Sequence, residues 1–348
     1  MAAIAVRVVG VLVLLWSSIG LAAAGIPGRE APAFEAALEQ WLADDEAGSL
    51  PELAGLAAEG NAAAQMLLAL IDRTPSLQGP WLARLPRAER DALLRRPEEA
   101  TPRNWMAAAV AAEPTAALWQ RFWEGEASAE LALDFAEAGE PDMAARVLLV
   151  RSVQRRSGLA EHAGAPGFPP ALRALALLDP LGPPEDETVR PIDPEDPQRG
   201  YLETPPPDAL LGQWLMSAPE ALPVAAFCRD ACGGAPSCAL AAYRALGGHA
   251  GVIAAAAPSA RLIDPARFAA STRGQCALLR RVLLRKDARG RASLIAATRK
   301  VDACFADHLE AEAQRYATGN GVNAINDAGA NTGTNAGTTT GTNTGDGG

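Results

Sequence analysis

Nowhere in this chain do Val, Ile, Thr and Tyr alternate with polar residues over a stretch long enough to mark a strand. Aromatic residues make up only 5% of the sequence, and Ala, Leu, Arg and Glu dominate its middle. All four are good helix formers. The expected fold class is therefore all-α. At 348 residues the chain is long for one compact unit, so more than one is expected.

Composition divides it. From residue 31 to 164 the patterning is helical with short breaks. Residues 165–208 are different: twelve prolines come after Gly164, and nine carboxylates fall between Asp179 and Asp208. Proline removes backbone donors and disfavours helix in the residue before it. An extended, acidic, Pro-rich linker is expected there. Helical patterning returns over residues 209–316, a second small domain that carries every cysteine. Residues 317–348 are mostly Gly, Asn and Thr with no core to bury, which predicts a disordered tail.

The first 24 residues read as a secretory signal peptide. Arg7 supplies the positive n-region, Val8 to Trp16 the apolar core, and Ala22 and Ala24 the small residues of an A-x-A cleavage site before Gly25. The apolar stretch to Ala24 is short for a bilayer-spanning helix. Cleavage and a periplasmic or secreted location are expected, without stable membrane insertion afterwards.

The most informative piece of the remaining chain is Leu56 to Leu70, LAAEGNAAAQMLLAL. Gly60 can take the left-handed conformation that ends a helix, and Asn61 can cap the next one. Ala64, Leu67, Leu68 and Ile71 then form an apolar stripe at helical spacing. Through Ala57, Gly60, Asn61, Ala64, Gln65 and Leu68 this stretch resembles the Sel1-like class of tetratricopeptide-type repeats. A second copy is Phe135 to Leu149, with Ala136, Gly139, Ala144 and Leu148 in similar roles and one apparent extra residue after Gly139. The two glycines are 79 residues apart, near two repeat lengths. Asn104 to Ala112 and Thr115 to Trp123 supply a degenerate pair between them, broken at Glu113 and Pro114. The resemblance spans about Pro51 to Ser152. It implies an α-solenoid-like domain of stacked hairpins that binds a protein or peptide. Trp81, Trp105, Trp119 and Trp123 are then candidates for its binding surface, with core packing between hairpins as the alternative.

Five cysteines, Cys228, Cys232, Cys238, Cys276 and Cys304, lie in one region, and in an exported chain they point to disulfides. Five is odd, so one remains over. The turn residues Gly233, Gly234 and Pro236 allow a local bridge from Cys228 or Cys232 to Cys238. Cys276 and Cys304 lie in two helical segments that a bridge between them would staple; the spacing leaves the connectivity open. A zinc reading of Cys228, Cys232, Cys238 and His249 is weaker, because the spacing C-x3-C-x5-C-x10-H matches no standard finger. No metal is expected. His162, His249 and His308 are read as surface or cap residues. The serine-hydrolase elbow, the nucleotide-binding glycine loops and the H-E-x-x-H zinc motif are all missing from the sequence, so no cofactor is expected.

The net charge of −10 disfavours nucleic acid as a partner. The basic run Arg273 to Arg299, with Arg280, Arg281, Arg285, Lys286, Arg289 and Arg291, reads as a solvated helix face. The expected function is a non-catalytic exported scaffold or adaptor for another envelope protein or peptide. The alternative is an envelope enzyme or enzyme inhibitor with its site in the cysteine-containing domain.

Overall fold

The computed structural model describes residues 25–96, 104–155, 208–218, 221–284 and 286–317. The expected signal peptide, His162, nearly all of the Pro-rich linker and the Gly/Asn/Thr tail lie outside them. The described residues are all-α, with no strand. In the N-terminal part the helices are α1 (Pro32–Leu42), α2 (Glu46–Ala58), α3 (Ala62–Arg73), α4 (Pro80–Arg84), α5 (Arg87–Leu94), α6 (Trp105–Ala112), α7 (Ala116–Trp123), α8 (Ala129–Glu137) and α9 (Pro141–Arg155). In the C-terminal part they are α10 (Asp208–Leu215), α11 (Leu222–Cys232), α12 (Pro236–Leu246), α13 (His249–Ala254), α14 (Pro265–Ala270), α15 (Thr272–Leu283), α16 (Ala288–Arg299) and α17 (Ala303–Ala317).

Successive N-terminal helices form hairpins through one recurring turn. Gly60, Gly125 and Gly139 have φ of 96°, 99° and 81°, and Asp44 has φ of 70°. Beyond each, the next N–H bonds back across the helix end: Asn61 to Leu56 O, Glu126 to Arg121 O, Glu140 to Phe135 O, Asp45 to Gln40 O. This is the Schellman closure, which satisfies carbonyls the helix leaves open. After Asp44, Gly60 and Gly125 the following helix is then capped by a side chain. The side chains of Asp45, Asn61 and Ser128 accept from the N–H groups of Gly48, Ala64 and Leu131, each at 3.0 Å. Helices α3 and α9 both start two residues after their glycine, so the extra residue read after Gly139 is not between the turn and the helix start.

The small side chains of Ala62, Ala63 and Ala64 let α3 sit in the middle, buried continuously from Ala62 to Ile71. It packs against α2 and α6, and α8 packs against α9. A helix covered all round must be apolar all round, and this one nearly is. Gln65, its buried polar residue, donates from Nε2 to the Ala57 carbonyl at 2.9 Å across the hairpin.

The second core lies between α10, α11, α12, α15 and α17, around Phe227 and Phe305, whose rings meet edge to face at 5.5 Å. Two disulfides brace it: Cys228–Cys238 joins α11 to α12, and Cys232–Cys304 joins α11 to α17. Cys276 is free and buried. Of the bridges the spacing allows, Cys228–Cys238 forms and Cys276–Cys304 does not. Cys304 sits in the first turn of α17 facing α11, while Cys276 on α15 faces Arg315 near the other end of α17.

The two helical stretches flanking the Pro-rich segment do not keep wholly separate cores. Ile253, Ala257, Leu262, Ile263, Phe268 and Ala277 pack into the core of the N-terminal hairpins. Phe268 stacks on Trp41 at 6.3 Å.

Candidate functional site

Two polar clusters and the tryptophans are the places where chemistry or recognition would reside. The first cluster is built on the turn between α1 and α2. Asp44 in its left-handed turn position and Glu46 in the first turn of α2 are both buried, and α15 brings Arg273 and Arg280 to them. Arg273 Nη1 lies 2.9 Å from Glu46 and 3.1 Å from Asp44, its Nε donates to the Trp41 carbonyl at 3.1 Å, and its guanidinium lies over the Trp41 ring. Arg280 Nη2 donates to both Asp44 oxygens at 2.9 and 3.0 Å, and its Nε donates to Glu312 at 2.8 Å. Arg315 closes the ring on Asp44 and Glu312, 3.0 Å from each. Three guanidinium groups thus face three carboxylates. Glu46 also accepts from the backbone N–H groups of Gly79 (2.5 Å) and Leu82 (3.0 Å).

This corrects the reading of Arg273 to Arg299 as one solvated face. Arg273 is 0% exposed and Arg280 1%. Seven residues apart, they share one side of α15, and that side turns inward because Asp44 and Glu46, from the far end of the sequence, meet it there. Lys286 and Arg289 are exposed, in keeping with the solvated reading.

Cys276 borders this cluster, with Arg315 Nη1 donating to its sulfur at 3.3 Å. Burial, helped by Glu312, pushes its thiol up from the ordinary value. Burial likewise raises the Tyr316 phenol, whose hydroxyl donates to the Gln78 carbonyl at 2.6 Å. A thiol held protonated is a poor nucleophile.

The second cluster surrounds the exposed end of α11. The sulfurs of Cys232 and Cys304 and a ring nitrogen of His308 all lie within 4.8 Å of one another. Cys232, Cys238 and a carboxylate oxygen of Asp302 form an adjoining group of the same radius. Cys304 and His308 are one turn apart on α17, and the imidazole meets Phe227 edge to face at 5.3 Å. Sequence reasoning placed His249, not His308, with the α11 and α12 cysteines. The side chain of His249 lies outside the described residues.

A carboxylate at the α8–α9 turn was not singled out from sequence. Glu140 is buried and accepts from the Ser259 hydroxyl, the Ala260 N–H (2.7 Å) and the Arg261 N–H (3.4 Å). Arg261 in turn bonds the Thr115 hydroxyl. The cavity beside Glu140, lined by Met66, Trp119, Phe135 and Ser259, is about 10 Å³, room for a single water.

Of the tryptophans, Trp105 and Trp119 are 5% and 4% exposed and belong to the core, where Trp119 meets Phe135 at 5.6 Å. Trp81 and Trp123 are half-buried and keep part of their rings accessible. Arg73, at the end of α3, lies 5.5 Å over the Trp123 ring. No protein-family model matches the chain, and neither a curated protein nor a solved structure matches it.

Proposed function

We propose that this protein is an exported, non-catalytic helical scaffold that holds another envelope protein or peptide against its N-terminal hairpins. One observation carries the reading: the same left-handed turn closes the hairpins at Asp44, Gly60, Gly125 and Gly139. Repetition of one hairpin geometry is how Sel1-like and related repeats generate a surface for a partner chain. The partly buried Trp81 and Trp123 supply the anchors, since large amphipathic rings dominate binding energy at protein contacts. Two disulfides support the exported half of the reading, because such bonds persist in oxidising compartments. Among the described residues no helix is long and apolar enough to cross a membrane.

Placing a photo-crosslinking amino acid at Trp81 or Trp123 tests the proposal in cells. A discrete protein adduct is expected at one or both positions and none at Glu310, an exposed residue on α17. Adducts no stronger than at Glu310 would remove the scaffold reading. N-terminal sequencing of the exported protein tests the leader independently, with Gly25 expected as the first residue.

A further inference from the structure

The two disulfides lie side by side but differ in access. Cys228 and Cys238 are both 0% exposed, whereas Cys232 and Cys304 are half-buried. A reductant in solution therefore reaches the second bond first. His308 waits beside that bond, its ring nitrogen within 4.8 Å of both sulfurs. Cys304 and His308 stand one turn apart on α17, so a rigid helix presents two of the three donors together. Cys232 is the last residue of α11 and is succeeded by Gly233 and Gly234, both at positive φ with open space around them. That end of the helix can adjust without disturbing the core.

Two thiolates and an imidazole are a donor set that suits zinc. Metal–sulfur and metal–nitrogen bonds of about 2.3 and 2.0 Å place tetrahedral ligand atoms roughly 3.5–3.8 Å apart, inside the radius these three already occupy. The Asp302 carboxylate stands within 4.8 Å of the Cys232 sulfur, but it is engaged by the Ser237 hydroxyl (2.7 Å) and the Phe305 N–H (2.9 Å). It steadies the start of α17, and the fourth position is left to water.

We infer that Cys232, Cys304 and His308 form a redox-gated binding site for a thiophilic divalent cation, zinc first among them. A dithiol opens the gate. Its first thiolate attacks one sulfur of the Cys232–Cys304 bond, and its second closes on the resulting mixed disulfide. The dithiol leaves as a cyclic disulfide, two electrons reduce the protein bond, and the two thiol protons pass to Cys232 and Cys304. Binding of one divalent cation then displaces those two protons. Oxidation by a disulfide reverses the sequence and expels the metal. The site stands apart from the scaffold reading and needs no partner protein.

The test uses the full-length exported protein treated anaerobically with limiting dithiothreitol, which is then removed. Alkylation and mass mapping are expected to find Cys232 and Cys304 modified while Cys228–Cys238 stays closed. Cobalt(II) should then bind one per chain with intense thiolate-to-metal absorption, and zinc should displace it. Oxidised protein should show no such absorption. His308→Ala should weaken cobalt binding by at least about tenfold, with helicity and thiol count unchanged. Prior opening of Cys228–Cys238, absence of thiolate-to-cobalt absorption, or equal affinity in His308→Ala would each overturn the site. If reduction lowers the helical signal, zinc must restore it; failure to do so counts equally against it.

Discussion

The C-terminal helices grip the N-terminal hairpins at two seams, and each seam is built on a hairpin turn. At the α1–α2 turn, Asp44 and Glu46 meet Arg273 and Arg280, and Arg315 and Glu312 complete the cluster. At the α8–α9 turn, Glu140 takes its hydrogen bonds from a hydroxyl and the backbone N–H groups of residues 260 and 261, with the Arg146 charge acting on it from a distance. Arg146, on the α9 helix that begins beside Glu140, turns instead to the carbonyls of Ile253 and Ala256 at 3.1 and 3.0 Å, closing the end of α13. A guanidinium cancels a buried charge; amide dipoles only soften it. One backbone motif thus buries carboxylates in two ways, and the two seams should answer differently to mutation and to pH.

The paired seam should be the more fragile to loss of one member. Arg273→Met leaves Glu46 and Asp44 buried with one fewer cation and removes the side-chain bonds to the carbonyls of Trp41 and Leu77. Removing one partner of a buried ion pair costs roughly 3–5 kcal/mol, so guanidinium denaturation should show a loss of that order. A loss below about 1 kcal/mol would mean that the network is solvated and that the contrast between the seams is false.

The amide-held seam should respond to pH instead. Burial pushes the Glu140 carboxyl above its ordinary 4.5, with the bonds from Ser259, Ala260 and Arg261 and the charge of Arg146 opposing. A folded-state value above the unfolded one means the folded protein holds the proton longer, so stability falls as pH rises. The fall starts near 4.5 and ends once Glu140 ionises in the folded state. Glu140→Gln cannot ionise and lacks this slope. The neighbouring Asp142, also raised by burial, is present in both proteins and cancels in the difference. The stability of wild type relative to Glu140→Gln, followed by denaturation at a series of pH values, should therefore fall as pH rises through this window. A flat difference, or one that rises with pH, would show Glu140 to be as well neutralised as the paired seam.

How much of this was readable beforehand depends on whether the cause was local. The turns at Gly60 and Gly139 announce themselves because a left-handed residue strongly selects glycine, and after Gly60 the next helix also selects a capping side chain at Asn61. Asp44 performs the same turn unannounced, since aspartate is common everywhere and only its φ of 70° marks it. Arg273 and Arg280 looked like solvent-facing charge because Asp44 and Glu46 are more than 220 residues away and no local pattern foretells them. The cysteine cluster was half readable. The spacing of Cys304 and His308 is a helix property, but the approach of Cys232 belongs to the way α11 and α17 cross. Trp105 and Trp119 looked like candidates for a surface, yet ring size alone cannot separate an anchor from a core residue.

The smallest effect concerns the turn that both seams share. Gly60 and Gly139 have φ of 96° and 81°, and a methyl group at either would meet nothing within 4 Å. Alanine there incurs only the left-handed backbone penalty, about 1 kcal/mol, and incurs it equally at both. The two positions differ in the job of the next residue along. Asn61 donates to the Gly28 carbonyl at 3.1 Å, near the start of the described chain, whereas Glu140 holds the second seam. Equal losses for Gly60→Ala and Gly139→Ala in thermal melts would mean that the seam tolerates small shifts of its turn, as single amide contacts should. If Gly139→Ala costs more by over about 1 kcal/mol, the Glu140 carboxylate depends on the turn being held in place. The two seams would then be equally rigid, differing in how they neutralise charge but not in how tightly they fix the backbone.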